Sequence, residues 1–203
     1  MQHIFQKFDL KITGVAHAGA HVGQEVEMYV NYGIKDIFLF EPQKETFQNL
    51  LRSMLKFQKQ GINVQCFNHA LGPTKKTTSL HRSSNNGGSS SLLAPKDHIT
   101  IYPEVQFTDS EEVQVERLDD IALPKVNFLV MDVQGYELEV LKGATSRLSH
   151  IDYIYTEVNQ LQLYEGGVLI DELDAFLSKF NFKRVDTAWL GGVWGDALYI
   201  KSS

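Results

Sequence analysis

Two glycine turns, each set where an apolar run gives way to a helical pattern, constrain this chain more than any other feature. The first lies in Val15-Ala16-His17-Ala18-Gly19-Ala20-His21-Val22-Gly23-Gln24. The second follows Phe128-Leu129-Val130-Met131-Asp132 and reads Val133-Gln134-Gly135-Tyr136-Glu137. An apolar run, a glycine turn and an amphipathic helix, in that order, describe a strand-to-helix junction. In open α/β sheets, ligands bind where strand ends meet helix starts. Two such junctions imply a nucleotide-like cofactor at one and chemistry at the other.

The segments around them read as alternating strands and helices. Ile12 to Ala16 predicts a first strand. From Val22 the apolar positions Val22, Val26, Tyr29 and Val30 take helical spacing, and Gly33 ends that helix. Asp36 to Phe40 is a continuous apolar run, as in a strand covered on both faces. After Pro42 a second helix has Phe47, Leu50, Leu51, Met54 and Leu55 on one face and closes at Gly61. Ile62 to Phe67 is the third strand. This βαβαβ order predicts a parallel sheet with helices on both sides.

Residues 68 to 120 break the pattern into short strands and loops. Within them, residues 83 to 92 are polar and glycine-rich, which predicts a flexible loop, either a binding loop or a surface loop. Regular order returns with a strand from Val126 to Val133, a helix from Tyr136 to Leu148 and a strand from Asp152 to Val158. Leu169, Leu173, Phe176, Leu177 and Phe180 mark a further amphipathic helix. Phe182 to Ala188 and Ala197 to Lys201, around Gly191-Gly192, predict a closing hairpin. A length of 203 residues predicts one domain spanning 1–203.

Composition narrows the partners. The net charge of −6 argues against a nucleic-acid backbone as ligand, since such binders carry a basic face. No apolar run of about 18 residues is present, so no membrane span is expected. The first 14 residues lack the apolar stretch of a secretory signal. The single cysteine, Cys66, between Val64 and Phe67, reads as a strand residue rather than a nucleophile. One cysteine and no signal predict a cytoplasmic protein.

The chemistry concentrates at strand ends. Gly19 and Gly23 permit close approach of a ligand to the backbone at a helix start. Glu41 ends the second strand, about 20 residues on, where an acidic side chain accepts hydrogen bonds from both ribose hydroxyls. Its other reading is an acidic residue favoured at the start of the next helix. His17 and His21 are four apart but separated by a turn, so the spacing does not make a metal pair. Asp132, Glu157 and Asn159 end neighbouring strands and come to one sheet edge. They could bind a hard cation such as magnesium, orient a hydroxyl or remove its proton. Asp132 could equally cap the helix that follows it.

Taken in order, HAGAHVGQ (17–24), FLFEP (38–42), NHALG (68–72) and MDVQGYELEVLKGA (131–144) resemble the FkbM family of S-adenosylmethionine-dependent methyltransferases. Gly88-Ser89-Ser90-Ser91-Leu92, Tyr155-Thr156-Glu157-Val158 and the final GDALYIK also fit. The resemblance implies an α/β fold: a single Rossmann-like methyltransferase domain, a mostly parallel seven-stranded sheet with an antiparallel last strand, and helices on both faces. It implies a cofactor site of His17, Gly19, Ala20, His21, Gly23, Glu41 and Asp132, with Asn68, His69 and Ala70 near the adenine. It implies Asp132 facing the transferring methyl and Ser89 to Ser91 as a closing segment; Glu157, at the end of a strongly apolar strand, is the second catalytic candidate.

Two departures stand out. His17 and His21 replace the family's usual Asp and Asn, which leaves Glu25 or another carboxylate to offset the cofactor's ammonium. Met131 and Gln134 replace its usual Lys and Glu. The activity implied is O-methylation of a hydroxyl on a small molecule or carbohydrate, in its metal-free form rather than with magnesium. A cofactor-binding or scaffold protein without catalysis is the alternative that His17 and His21 motivate. A nicotinamide-dependent oxidoreductase would suit the first half of the chain but not its closing hairpin.

Overall fold

The central strands of this chain are apolar at nearly every position, so they need cover on both faces. The computed structural model describes residues 1–124 and 126–202. A short helix, α1 (Gln2–Lys7), precedes β1 (Val15–Ala18), α2 (Val26–Asn31), β2 (Asp36–Phe40), α3 (Lys44–Lys59) and β3 (Asn63–Phe67). Next come β4 (Ala70–Leu71), β5 (Lys76–Arg82), α4 (His98–Ile101) and β6 (Asp109–Glu116). The chain continues through β7 (Phe128–Met131), α5 (Glu137–Lys142), β8 (Tyr153–Asn159), α6 (Ile170–Ser178), β9 (Phe182–Trp189) and β10 (Trp194–Lys201).

Seven strands form one sheet in the order β3-β2-β1-β7-β8-β10-β9. The first five pair in parallel. The last strand, β10, runs antiparallel to both β8 and β9. This is the mostly parallel sheet with a reversed last strand that the sequence implies. β4, β6 and β5 form a second, three-stranded sheet from the segment read as short strands and loops.

Alternate strand residues face opposite sides, and the helices divide accordingly. Ile37, Leu39, Phe128 and Val130 pack with Val26 and Tyr29 of α2 and Leu50 and Met54 of α3. Phe38, Phe40, Leu129 and Met131 pack with Val140 and Leu141 of α5 and Leu173 and Leu177 of α6. Burying one such side chain contributes roughly 1.5–3 kcal/mol. A one-residue slip of β2 or β7 would exchange its two sets of side chains between cores, so the register is strongly specified.

Several boundaries differ from the sequence expectation, each for a local reason. β1 begins at Val15, not Ile12. Upstream, Lys11 N–H donates to the Tyr153 hydroxyl at 3.2 Å and Thr13 N–H to Asn127 Oδ1 at 2.8 Å, so side chains replace the ladder. α2 begins at Val26, not Val22, because His21 (φ 48) and Gly23 (φ 79) are left-handed and interrupt a helix there. On α3 the buried face is Thr46, Leu50, Met54 and Phe57, whereas Leu51 and Leu55 point outward. α5 stops at Lys142, where Gly143 meets Gly72: a Cβ on Gly143 would lie 1.9 Å from the Gly72 carbonyl oxygen. The expected helix resumes only as a 3-10 turn at Arg147–Ser149. α1 was not legible in the sequence.

The two glycine turns meet at the ends of β1 and β7. Asp132 N–H donates to the Ala18 carbonyl at 3.0 Å. Gly19 adopts φ 77, and a Cβ there would lie 1.8 Å from the Asp132 carbonyl oxygen. Replacement of Gly19 by Ala therefore combines backbone strain with a backbone clash. We expect it to lower the unfolding free energy by ~2–4 kcal/mol, read as a fall in the urea midpoint.

Candidate active site

Strand order reverses between β1 and β7, the place where an open α/β sheet leaves a crevice beyond its carboxyl ends. A cleft opens there, walled by His17, Gly19, Glu25, Glu41, Asp132 and Gln134 among others. Counted with its open mouth, it holds about 940 Å³ of empty space.

Glu41 straps two turns together. Its Oε2 accepts from His21 N–H at 3.0 Å and its Oε1 from Gln43 N–H at 2.8 Å. Burial raises its pKa above the usual carboxylate value, and the bond from Gln43 opposes that shift. Gly19 and Ala20 N–H groups both reach the Phe40 carbonyl at 3.0 Å, which pins the first glycine turn beside Glu41.

His17 is 3 % exposed, and its Nδ1 lies 3.2 Å from the Tyr29 hydroxyl. Burial lowers its pKa to about 4, so the ring is neutral at physiological pH. His21 faces away from it, donating from Nε2 to the Asn86 carbonyl at 2.9 Å. The two histidines thus serve different neighbours. Among the described residues, no group of three or more His, Cys, Asp and Glu side chains forms a metal-binding cluster.

The second junction holds a pair of acids clamped by an amide. Gln134 Nε2 donates to Asp132 Oδ1 and to Glu157 Oε2, each at 2.7 Å. Asn159 Nδ2 donates to Glu157 Oε1 at 3.0 Å. Asp132 has protein packed around it, yet its carboxylate faces the open cleft, while Glu157 is buried behind Gln134. Burial raises both pKa values, and for Glu157 the neighbouring Asp132 charge adds to the rise. Two carboxyls so placed favour sharing one proton over carrying two charges.

The segment from 83 to 92 folds over this cleft with identifiable bonds. Ser91 Oγ donates to the Gln134 carbonyl at 2.7 Å, and Ser90 Oγ to Gln43 Oε1 at 3.1 Å. The Tyr164 hydroxyl lies 2.8 Å from both Gln134 Oε1 and the Ser89 carbonyl and donates to one or the other. Asn86 (φ 58) and Gly87 (φ 84) supply the left-handed turn at its tip.

Of the residues singled out in the sequence, His17, Gly19, His21, Glu41, Ala70 and Asp132 line the cleft. Ala20 and Gly23 do not. Ala20 is fully buried in the core, and the space a Gly23 Cβ would need is filled by Met54 and Leu50. Asn68 also lies outside the lining, where its Nδ2 donates to the Glu41 and Pro42 carbonyls at 3.0 Å and props the turn. His69 packs its ring 5.7 Å from that of Phe67. Glu157 stands one side chain back, behind Gln134. The sequence reading missed Gln43 and Tyr164 and noted Gln134 only as a departure from a pattern. That departure was the available signal for the amide clamp.

A crossed-over α/β sheet with its cleft at the switch point, a carboxylate after β2 and acids at the ends of β7 and β8 has the layout of nucleotide-binding folds. Residues 17–184 match the methyltransferase FkbM domain, and the chain belongs to the FkbM methyltransferase family. It is 28% identical over 195 residues to the 2-O-methyltransferase NoeI of Sinorhizobium fredii, covering 89% of this chain and 76% of that protein. It is 27% identical over 124 residues to the hexuronic acid methyltransferase AglP of Haloferax volcanii, covering 61% of this chain and 47% of that protein. In structure it is similar to an FkbM methyltransferase from Methylobacillus flagellatus KT, with a TM-score of 0.65 at 16% identity. That match covers 93% of this chain and 43% of the other.

One buried acid beside the clamp makes stability depend on pH. Glu137 Oε1 accepts from Val133 and Gly135 N–H groups at 3.1 and 3.2 Å, while its Oε2 is buried without a partner among the described residues. Burial pushes its pKa up from 4.5 to about 7. The neutral form is favoured by folding, so its contribution is full below about pH 4.5 and is lost as pH rises through about 7. Between pH 5 and pH 8 the wild-type protein should lose stability, by roughly 3 kcal/mol from this group, that Glu137→Gln does not lose. Urea unfolding of both proteins at the two pH values measures the difference.

Proposed function

We propose that the protein is an S-adenosylmethionine-dependent O-methyltransferase acting on a hydroxyl of a small molecule or carbohydrate. The observation that carries this reading is Asp132, clamped by Gln134 to the buried Glu157, on the wall of the same cleft as Glu41 and Gly19. The likeness to the 2-O-methyltransferase NoeI and the hexuronic acid methyltransferase AglP supports the acceptor class. The unpaired Cys66 fits a cytoplasmic protein. No described helix is long and apolar enough to cross a membrane.

The residues present fit the cofactor. Glu41 is buried, its Oε2 holding the His21 N–H and its Oε1 the Gln43 N–H and, at 3.3 Å, the Gln43 side-chain amide; Oε2 keeps a lone pair for one ribose hydroxyl, and exchange of the longer amide bond frees a second. Leu71, Leu80 and Phe40 give the cleft an apolar wall suited to a purine. Gly19 lines the same cleft. When bound, the cofactor supplies an electrophilic methyl on a positively charged sulfonium.

The chain's own part is to position an acceptor oxygen and take its proton. Asp132 is the acid of the pair that faces the cleft, so it is the group to accept a hydroxyl proton. Glu157, whose pKa is raised by burial and by the Asp132 charge, and Gln134, donating to both acids, hold the pair in one geometry. The Gln134 amide hydrogens point between the two carboxylates, where a bridging cation would otherwise sit. That donor arrangement favours the metal-free form over magnesium. The segment 83–92, tied to Gln43, Gln134 and Tyr164, helps exclude water from the cleft.

Calorimetry with S-adenosylhomocysteine tests the cofactor half. Glu41→Ala should weaken binding by ~1.5–3 kcal/mol, the loss expected for charged hydrogen bonds. Methyl-labelled S-adenosylmethionine with a panel of hydroxylated sugars and small molecules tests the chemistry. Wild-type protein should label an acceptor, and Asp132→Asn should lower that rate at least ~100-fold with cofactor binding within a few-fold of wild type. Cofactor binding without transfer to any acceptor would favour the binding-only alternative that the neutral His17 motivates.

A further inference from the structure

S-Adenosylmethionine ends in an amino acid, whose ammonium needs an anionic partner when it leaves water. The cleft offers three carboxylates: Glu25, Glu41 and Asp132. Glu41 holds backbone N–H groups with both oxygens. Asp132 is held by the Gln134 amide and faces the acid pair. His17, on the same wall, is a neutral ring that donates no countercharge. Glu25 differs from all of these. It sits at the N-cap position of α2, directly after the first glycine turn, and its Oε2 is buried with no hydrogen-bond partner among the described residues. Among the described residues no lysine or arginine lines the cleft; its basic-type residues are the two histidines.

We propose that Glu25 is the carboxylate that receives the ammonium of the cofactor's amino-acid end. This rests on the cofactor reading given above and assigns one binding residue within it. A buried carboxylate oxygen without a donor is costly as it stands, and a bound ammonium supplies the missing donor and the opposite charge together. The position also explains how the site works with His17 where an acid would otherwise serve. The carboxylate sits at the helix N-cap rather than on the strand, and Glu25 lines the same cleft as His17.

The test compares two ligands that share the nucleoside and the sulfur. S-Adenosylhomocysteine carries the amino-acid end, and 5′-methylthioadenosine does not. By calorimetry, Glu25→Gln should weaken S-adenosylhomocysteine roughly 10- to 100-fold and leave methylthioadenosine within about twofold. Methylthioadenosine binding also reports that the variant is folded. Loss of the ligand's carboxylate cannot imitate this result, because removing Glu25's charge would ease repulsion with that group. Equal affinity of wild type and variant for S-adenosylhomocysteine would overturn the proposal, as would an equal loss for both ligands. If wild-type protein binds neither ligand, the cofactor reading itself fails, which is a different result from failure of Glu25 alone.

Discussion

The carbonyl oxygen of Asp132 occupies the space that any side chain at position 19 would need. Much of the site depends on that contact. It lets the end of β7 close against the end of β1, with Asp132 N–H on the Ala18 carbonyl. The two glycine turns, far apart in the chain, thereby become opposite walls of one cleft. Glu41 reinforces the arrangement from the other side by holding the turns after β1 and β2 with a single carboxylate.

Placing so many acids in so small a space carries a free-energy cost, and each acid meets it differently. Glu41 takes backbone N–H groups. Asp132 and Glu157 share an amide donor, and burial together with their mutual charge favours one proton between them. Glu137 satisfies one oxygen on the second glycine turn and keeps the other unpartnered, with a pKa pushed up to about 7. Glu25 also keeps an unpartnered oxygen, but on the cleft wall. These differences in partner, rather than residue type, separate supports from functional candidates.

The amide at position 134 shows why single departures from a family pattern matter. A glutamate there would bring a third carboxylate against Asp132 and Glu157. The glutamine instead turns its NH₂ to the acids and its carbonyl towards the Tyr164 hydroxyl. Its left-handed backbone (φ 55) aims the side chain back across the strand ends. Tyr164 in turn reaches Ser89, so the segment over the cleft and the acid pair belong to one hydrogen-bonded group.

The sequence by itself determined the sheet and the place of the site. Continuous apolar strands such as Asp36–Phe40 demand cover on both faces, and glycine turns after β1 and β7 mark the edge where the candidate cleft opens. Periodicity and turn chemistry are local, so they are readable along the chain. Only the tertiary structure decided which nearby residues enter the cleft. Gly23 and Ala20 lie beside Gly19 in sequence but pack into the core, because α3 supplies Leu50 and Met54 at that point. The tie from Gln43 to Ser90 and that from Tyr164 to Gln134 join partners many residues away, which no local pattern announces. Hydrogen bonds and burial at a switch point join segments from both halves of the chain, and no window of the sequence contains them together.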